Sequence, residues 1–404
     1  MKFNFSNGNN SLRHQSIIKE GNIKQLFNLI LVNEGISRIA LSKKTGLNRS
    51  TVTFLIGELV KAGIVEIMGE GDSSSLGRKP IMLRINPGIA QVVAVSLKKK
   101  TFTYTLFDLG CNELESFSED ISYKKGCGAK IWESITGRSS HLRPDLLLAI
   151  CVSIPAQVDN ASRSVFLSAI DIKNDCDLVD ELKSMRPDIP LMVGNNSSAY
   201  VYAEYKYTYA EEIEKMIFFD MSGGVSAGIL HNGSVFTAEI GHMSIYPDGL
   251  FCECGRRGCL EMYVGREAIL RRFKTADEKG KKGVKPANYA AIRKIIEKGD
   301  NHVLKTARVI AAEVALGINN VICMFYPKSI KIGGGIEELG EVFLKMVVER
   351  INIPGSGGIN SENNIQVDFS RLGYNADLKG LSRYFIDRIL TITTETENTL
   401  HILN

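Results

Sequence analysis

Apolar positions recur at helical spacing near the start of this chain and at strand spacing through most of the remainder. In IKQLFNLILVN (residues 23–33), Ile23, Leu26, Phe27, Ile30 and Leu31 share one helical face. Gly35 ends that helix, and Ser37 is placed to cap a second, RIALSKKTG, closed by Gly46. Asn48 caps a third, RSTVTFLIGELVKAG, with Val52, Leu55, Ile56, Leu59 and Val60 on its inner face. Past Gly63, IVEIM and PIMLRIN predict two strands joined by the polar loop GEGDSSSLGRK, a wing. Two short helices around a Gly-containing turn form a helix-turn-helix, whose second helix can enter the DNA major groove.

From Ala90 the rhythm changes. VVAVSL and TYTLFDL predict a β-hairpin, followed by a helical stretch and the buried strand DLLLAICVSIP. IPLMVGNN is a strand ending in a polar turn before the helix SAYVYAEYKYTYA. MIFFDMSGGVSAGILHNGSVF repeats the strand–turn–strand layout, and KSIKIGGGIEELG is a strand running into a glycine turn. Two halves that each open with a hairpin predict a duplicated α/β domain with a cleft between two lobes. The expected boundaries are 1–86 for the winged helix, 87–197 for the first lobe and 198–376 for the second. A C-terminal helix, 377–404, is expected to return to the first lobe. Glycine-rich turns such as SGGVSAG and GGG either cradle phosphate or allow tight strand–helix packing, and the residues alone leave both open.

Charge sharpens the picture of the first segment. The 404 residues carry a net charge of +4, yet residues 1–90 hold twelve Lys or Arg against six Asp or Glu. The whole positive excess therefore lies on the predicted winged helix, as expected for a segment that meets phosphate. By composition alone, a solvated basic face would look the same. Helix spacing, wing and charge together favour DNA. The expected contacts are Lys43 and Lys44 near a backbone, Asn48, Arg49, Ser50 and Thr51 at the start of the recognition helix, and Arg78 and Lys79 at the base of the wing. Hydrophobic residues make up 44%, with no run of about 18 uninterrupted apolar residues to span a membrane. The longest candidate, Val309 to Pro327, is broken by Glu313, Asn319 and Asn320, and MKFNFSNGNN lacks the apolar core of a signal peptide. The expected compartment is the cytoplasm, with no membrane partner.

Of eight cysteines, Cys252, Cys254 and Cys259 fall together, ten to seventeen residues after His242. Three thiolates and one imidazole complete a tetrahedral Zn2+ sphere with no open position, which marks a structural rather than a catalytic metal. A zinc deaminase would need H-x-E followed by P-C-x-x-C, and neither motif occurs.

Two stretches carry a resemblance. ISRIALSKKTGLNRSTVTFLIGELVKAGIVEIMGEG with GRKPIMLRIN resembles the winged-helix end of repressors of the ROK family (repressors, open reading frames, kinases). EIGH followed by CECGRRGCLE closely resembles that family's signature, which extends the likeness over nearly the whole chain. Membership would imply a two-lobed actin-like, RNase H-like fold, with a sugar in the cleft and zinc beside it. By the family pattern, Glu239, His242 and Glu261 face the sugar, with His242 also on zinc. Asn195 and Asn196 match the Asn-Asp pair of family kinases, so Asn195 would bind a sugar hydroxyl. Carboxylates and amides suit that task because vicinal hydroxyls both donate and accept.

The departures from the pattern bear on activity. Phosphoryl transfer to a sugar uses a general base, and the family's Asp is here Asn196, which cannot take a proton near neutral pH. The first phosphate loop, Asp-x-Gly-Gly-Thr in the family, reads Ser96-Leu97-Lys98-Lys99-Lys100. The second, Gly-Thr-Gly-x-Gly, reads Ser222-Gly223-Gly224-Val225-Ser226. The stretch from Asn232-Gly233 to Glu239 is also about six residues shorter than usual for the family, which reshapes one rim of the pocket. The expected protein is a non-enzymatic repressor with operator DNA and a saccharide inducer as partners, acting as a homodimer or a dimer of dimers. The competing expectations are an ATP-dependent sugar kinase with an appended DNA-binding domain, and a protein-interaction module.

Overall fold

The computed structural model describes residues 19–70 other than 20, 24 and 32, then 80–158, 165–168, 178–209, 213–275, 288–351, 365–392 other than 374, and 401–403. The N-terminal unit begins with a helix, α1, at residues 21–23 and 25–31. Next come strand β1 (Ile36–Ser37) and helices α2 (Arg38–Thr45) and α3 (Arg49–Lys61). Both expected caps form: Ser37 Oγ accepts from Ala40 N at 3.2 Å, and Asn48 Oδ1 accepts from Thr51 N at 2.7 Å. Gly46 closes α2 at φ 72°, a left-handed conformation that glycine adopts without a side-chain penalty. Strands β2 (Val65–Glu70) and β3 (Ile81–Ile85) form the base of the wing, and β1 adds an unforeseen third strand in the order β1-β3-β2. Leu26, Ile30, Leu41, Val52, Ile56 and Leu83 fill the core of this unit. Arg78 and Lys79 lie outside the described residues.

A 3-10 turn at Pro87–Ile89 leads into the first lobe, where Leu109 N donates to Pro87 O at 3.1 Å. Strand β4 (Gln91–Leu97) is buried along its whole length, as the apolar run Val92–Val95 dictates for a central strand. It pairs with β5 (Thr101–Asp108), which pairs with β6 (Glu113–Asp120). The sequence pattern passes straight from the hairpin to a helix, and β6 corrects it: ELESFSED is an edge strand whose half-buried face, Glu115, Phe117 and Glu119, is mostly charged, because Glu115 accepts from Ser139 and Glu119 from Ser134 and Arg138, so no apolar alternation marks the strand. Helix α4 (Cys127–Arg138), β7 (Leu147–Ile154), the ribbon β8 (Ala156–Val158) and β9 (Val165–Ser168), α5 (Leu178–Met185) and β10 (Leu191–Asn195) complete the lobe. The second lobe repeats the plan. Helix α6 (Asn196–Thr208) leads to β11 (Lys215–Asp220), β12 (Ser226–His231) and β13 (Ser234–Ala238). Helices α7 (Glu261–Val264), α8 (Arg266–Thr275), α9 (Tyr289–Glu297) and α10 (Asn301–Phe325) follow, then β14 (Ser329–Gly333), α11 (Glu341–Ile351), β15 (Gln366–Phe369), α12 (Ala376–Ile392) and β16 (His401–Leu403).

The two sheets run β16-β10-β7-β4-β5-β6 and β13-β12-β11-β14-β15. Each lobe therefore lays its first three strands as an antiparallel meander and adds its next two parallel to the first, the expected duplication. Helices α6 and α12 pack against each other between the sheets. Their approach is close: a Cβ on Gly380 would lie 2.0 Å from Ala199 O, and one on Gly228 would lie 1.9 Å from Ser197 O. Helix α12 also packs on β4 and β7, and β16 pairs with β10, so the chain's last described elements lie on the first lobe; the expected single helix over 377–404 is corrected, since α12 ends at Ile392 and His401–Leu403 extends the sheet as a strand instead. Helix α10 is long and apolar enough to cross a membrane, but half of its most apolar window is buried, as in a core helix.

Candidate functional site

On the N-terminal unit, α3 turns Val52, Leu55, Ile56 and Leu59 inward and leaves Arg49, Ser50, Thr53, Phe54 and Gly57 exposed. Lys43 and Lys44 are exposed in the last turn of α2. Asn48 is engaged in capping: its Oδ1 accepts from both Thr51 N and Ser50 Oγ, the latter at 2.8 Å. Thr51 is half-buried. Of the expected base-reading residues, Arg49 keeps a long exposed donor at the helix start, while Ser50 and Asn48 are tied to each other.

In the second lobe, a 3-10 turn at Ile240–His242 follows directly from Glu239. The next segment folds back so that Leu260 N donates to Met243 O and Ile245 N to Gly258 O. Gly258, at φ 70°, lies so close to Tyr246 O that a Cβ would stand 1.6 Å from it, so no other residue fits. The result brings His242, Cys252, Cys254 and Cys259 together, with donor atoms all within 4.8 Å of one another. Cys252 Sγ is 3.6 Å from His242 Nδ1, and Cys254 Sγ is 3.6 Å from Cys259 Sγ. A tetrahedron of ligands at zinc–sulfur distance has edges of about 3.8 Å, so these donors can hold one tetrahedral metal ion. Burial pushes the Cys259 thiol up to about 12, so a thiolate there requires a neighbouring cation.

The residues expected around a sugar lie on three segments: the Asn195–Asn196 turn, the Glu239–His242 turn and the start of α7 at Glu261. Ser198 Oγ, in the first turn of α6, bonds Thr237 Oγ1 at 2.5 Å, which ties the Asn195–Asn196 turn to the strand leading to Glu239. Asn195 is buried; its Nδ2 donates to Ala156 O at 2.9 Å and its Oδ1 caps α6 by accepting from Ser197 N at 2.8 Å. One N–H then remains for a ligand. Asn196 Nδ2 donates to Asp220 Oδ2 at 3.2 Å. Glu261 Oε2 accepts from Val225 N at 2.9 Å, so this carboxylate anchors the SGGV turn, and a Cβ on Gly224 would sit 2.4 Å from it. Glu239 and His242 are half-buried beside the cysteine loop.

Where the lobes meet, two carboxylates approach from opposite sides. Asp377, in the first turn of α12, accepts from Ser96 Oγ at 2.7 Å and Ser153 Oγ at 2.6 Å through Oδ2. Its Oδ1 is buried and has no partner among the described residues. Asp220, at the end of β11, accepts from Ser197 Oγ at 2.8 Å and Ser222 N at 2.9 Å. Burial raises the Asp220 carboxyl above its ordinary range, and the charge of Asp377 adds to that rise. Lys98 feels both carboxylates. Its Nζ donates to Asn375 Oδ1 at 3.0 Å, and Tyr123 Oη fixes its turn by donating to Lys98 O at 2.6 Å. Burial lowers the Lys98 ammonium, against the pull of Asp377 and Asp220.

A model described as ROK family matches residues 130–371, more than half of the chain. The chain belongs to the ROK family. A winged helix-turn-helix DNA-binding model matches residues 20–66. Among ROK relatives, the xylose repressor of Bacillus subtilis (strain 168) is 28% identical over 395 residues, covering 94% of this chain and 98% of the relative. The N-acetylglucosamine repressor of Escherichia coli O6:H1 is 26% identical over 361 residues, covering 85% and 88%. A solved ROK family transcriptional regulator, described as a homolog of the E. coli MLC protein, superposes with a TM-score of 0.75 at 23% identity over 93% of this chain and 98% of its own. A ROK glucokinase from Streptomyces griseus, solved with glucose and AMPPNP, gives 0.61 at 22% identity, covering 73% of this chain and 99% of its own. These structural likenesses show the fold: a winged helix joined to the two-lobed ROK body.

Within this ROK chain, sequence reasoning found the cysteine loop and the cap residues but missed Asp220, Asp377 and Ser153. The one local signal for Asp220 is an acid at the end of an apolar strand just before a glycine turn. Asp377 has none, because its partners Ser96 and Ser153 lie 281 and 224 positions away.

Proposed function

We propose that this ROK protein is a cytoplasmic transcriptional repressor. Its winged helix binds operator DNA and its cleft binds a saccharide inducer, which it does not phosphorylate. The observation that carries the reading is the pairing, in one chain, of an exposed basic recognition face with a cleft whose base position is an amide. Asn196 donates to Asp220 and cannot accept a hydroxyl proton. Lys98 supports the same reading, because a long side chain, held by its Nζ on Asn375, stands in the run that matches the family's glycine-containing first phosphate loop. The names of the xylose and N-acetylglucosamine repressors support a saccharide as the ligand class.

Operator contacts are assigned to Lys43, Lys44, Arg49, Ser50, Thr51 and Asn48, with Arg78 and Lys79 at the wing. Saccharide contacts are assigned to Glu239, His242, Glu261, Asn196 and the remaining N–H of Asn195. Zinc bound by His242, Cys252, Cys254 and Cys259 would supply a structural cross-link rather than a nucleophile. His242 and the neighbouring Glu239 and Glu261 would then present a fixed edge to the sugar hydroxyls. The saccharide acts by population shift: it favours one lobe arrangement, and that arrangement displaces the winged helices. A homodimer or dimer of dimers follows from operator geometry, since one winged helix reads too few base pairs for specificity.

The test is to select binding duplexes from a random library with the full chain. The selected duplex is then titrated with and without a panel of mono- and disaccharides, and ADP release is measured in parallel. One saccharide should change DNA affinity, and no ADP should form. Arg78→Ala should weaken DNA binding alone, and Glu239→Gln should abolish the saccharide response alone. Sugar-dependent ADP release would replace the proposal with the competing one, a sugar kinase carrying a DNA-binding domain.

A further inference from the structure

The middle of the recognition helix is apolar. Phe54 is 60% exposed, more than any other large apolar side chain described in the N-terminal unit. It lies one turn past Arg49 and Ser50 on the face of α3 opposite the buried stripe. A single exposed aromatic is common on protein surfaces and needs no explanation by itself. Four further observations distinguish this one.

The ring is flanked rather than loose. Lys19 Nζ stands 5.6 Å from the ring centroid and pairs with Glu58 at 2.9 Å, which neutralises the one acidic residue of α3. The field around the ring is positive: residues 38–57 contain Arg38, Lys43, Lys44 and Arg49 and no Asp or Glu. The polar groups beside it are already engaged. Ser50 Oγ donates to Asn48 Oδ1, and Thr53 Oγ1 donates to Arg49 O at 2.7 Å, which leaves Thr53 its methyl to offer a partner. Gly57, one turn further on, has nothing within 4 Å of where a Cβ would stand, so the helix can be approached closely there. An apolar spot inside a cationic face suits a polyanion that carries apolar groups at the bottom of a groove. The major groove of DNA is such a partner, and its apolar groups are the C5-methyls of thymine.

We propose that Phe54, with the Thr53 methyl, is a specificity-determining contact to thymine methyl groups in the operator. The proposal rests on the DNA-binding reading above. Burying one methyl contributes about a fourfold change in affinity, from roughly 0.8 kcal/mol per buried carbon.

The experiment selects duplexes from a random library with the full-length wild type and with Phe54→Ala, then replaces each thymine of the wild-type duplex singly by deoxyuridine, which removes only the methyl. Wild type should select thymine at one or two positions per half-site and lose about fourfold in affinity at each deoxyuridine there. Phe54→Ala should lose both the preference and the deoxyuridine penalty while keeping the salt dependence and thermal midpoint of wild type. Phe54→Leu should fall between them. The proposal is overturned if Phe54→Ala selects the same sequences with the same penalties. It is also overturned if Phe54→Ala lowers the thermal midpoint while selection is unchanged, since the ring is then a packing residue. If neither protein binds any duplex in a salt-dependent manner, the DNA-binding reading fails as a whole, which is distinguishable from both results.

Discussion

Restoring the family's aspartate at position 196 should cost stability and still yield no kinase. Asn196 Nδ2 lies 3.2 Å from Asp220 Oδ2 as a donor. In Asn196→Asp that contact becomes carboxylate against carboxylate. Two unit charges at that distance repel by about 5 kcal/mol at an effective dielectric of 20. The variant can escape by binding a proton, because a protonated Asp donates much as Asn does. Holding a proton at pH 7 on a group of ordinary pKa near 3.9 costs about 4 kcal/mol, and about 1.5 kcal/mol at pH 5. Protonation is the cheaper route, so these values cap the loss. The sign follows from linkage: the folded pair binds its proton more tightly than the unfolded chain does. The penalty is absent below the unfolded pKa, grows with rising pH and levels off above the folded pKa. Urea denaturation of wild type and variant between pH 4.5 and 8 should show a gap that widens with pH by up to about 1.4 kcal/mol per unit. A gap independent of pH, or none at pH 8, would refute the placement of Asn196 against Asp220. Sugar-dependent ADP release by the variant would show that Lys98 and the altered loops do not block transfer.

Three other outcomes follow from the geometry. Metal analysis of protein purified without chelator should find about one zinc per chain, and Cys254→Ser should lower that content and the saccharide response together; metal-free wild type would sink the assignment. Asn48→Ala should lose about 1 kcal/mol of stability with its cap, whereas Asn48→Asp should keep the cap yet weaken DNA binding through its charge, measured by melting and by operator titration. Gly380→Ala should destabilise by about 1–3 kcal/mol despite alanine's better helix propensity, since its Cβ would meet Ala199 O at 2.0 Å; a variant as stable as wild type would mean that α6 and α12 are not tightly apposed.

What the sequence disclosed depended on range. The caps at Ser37 and Asn48 act over three residues, so residue type and spacing carry the whole signal. The cysteine loop is nearly as local, with its four donors inside eighteen positions. Strand β6 was hidden because its half-buried face carries Glu115 and Glu119, whose partners Ser139 and Ser134 lie 24 and 15 positions away, so no apolar alternation shows in the sequence. Asn195 shows a subtler limit. Only the family resemblance makes it a sugar contact, whereas its place after a strand makes it the cap of α6, and its amide is largely occupied there. Glu261 is similar, since its carboxylate anchors Val225. The Asp220–Lys98–Asp377 arrangement was beyond reach because it is assembled from strand ends and a helix start on both lobes, with no spacing rule to join them.

The proposed coupling between sugar and DNA has a physical path. Helix α6 begins at Asn196, beside Asp220, and the bond from Ser198 to Thr237 links that beginning to the strand before Glu239. Further along, its Tyr200 and Tyr202 join the same buried cluster as Leu381 and Phe385 of α12, Leu109 and Cys111 of the first lobe, and Ile85, Leu83 and Leu26 of the winged helix. One continuous core therefore runs from the sheet of the second lobe, through Phe218 and Leu230, to the winged-helix unit. Close-packed interfaces shift between discrete arrangements rather than deform smoothly. With Gly228 against one side of α6 and Gly380 against the other, the helix has no slack in which to absorb a lobe rotation. A saccharide that changes the angle between the lobes must then repack α6 against α12, and the winged helix rests on the far end of that same core. Lys98 adds an electrostatic bias, since it is attracted both to Asp377 on the α12 side and to Asp220 on the second lobe. Lys98→Met should therefore alter the saccharide response without touching either the sugar contacts or the recognition helix. An unchanged response would assign the coupling to helix packing alone.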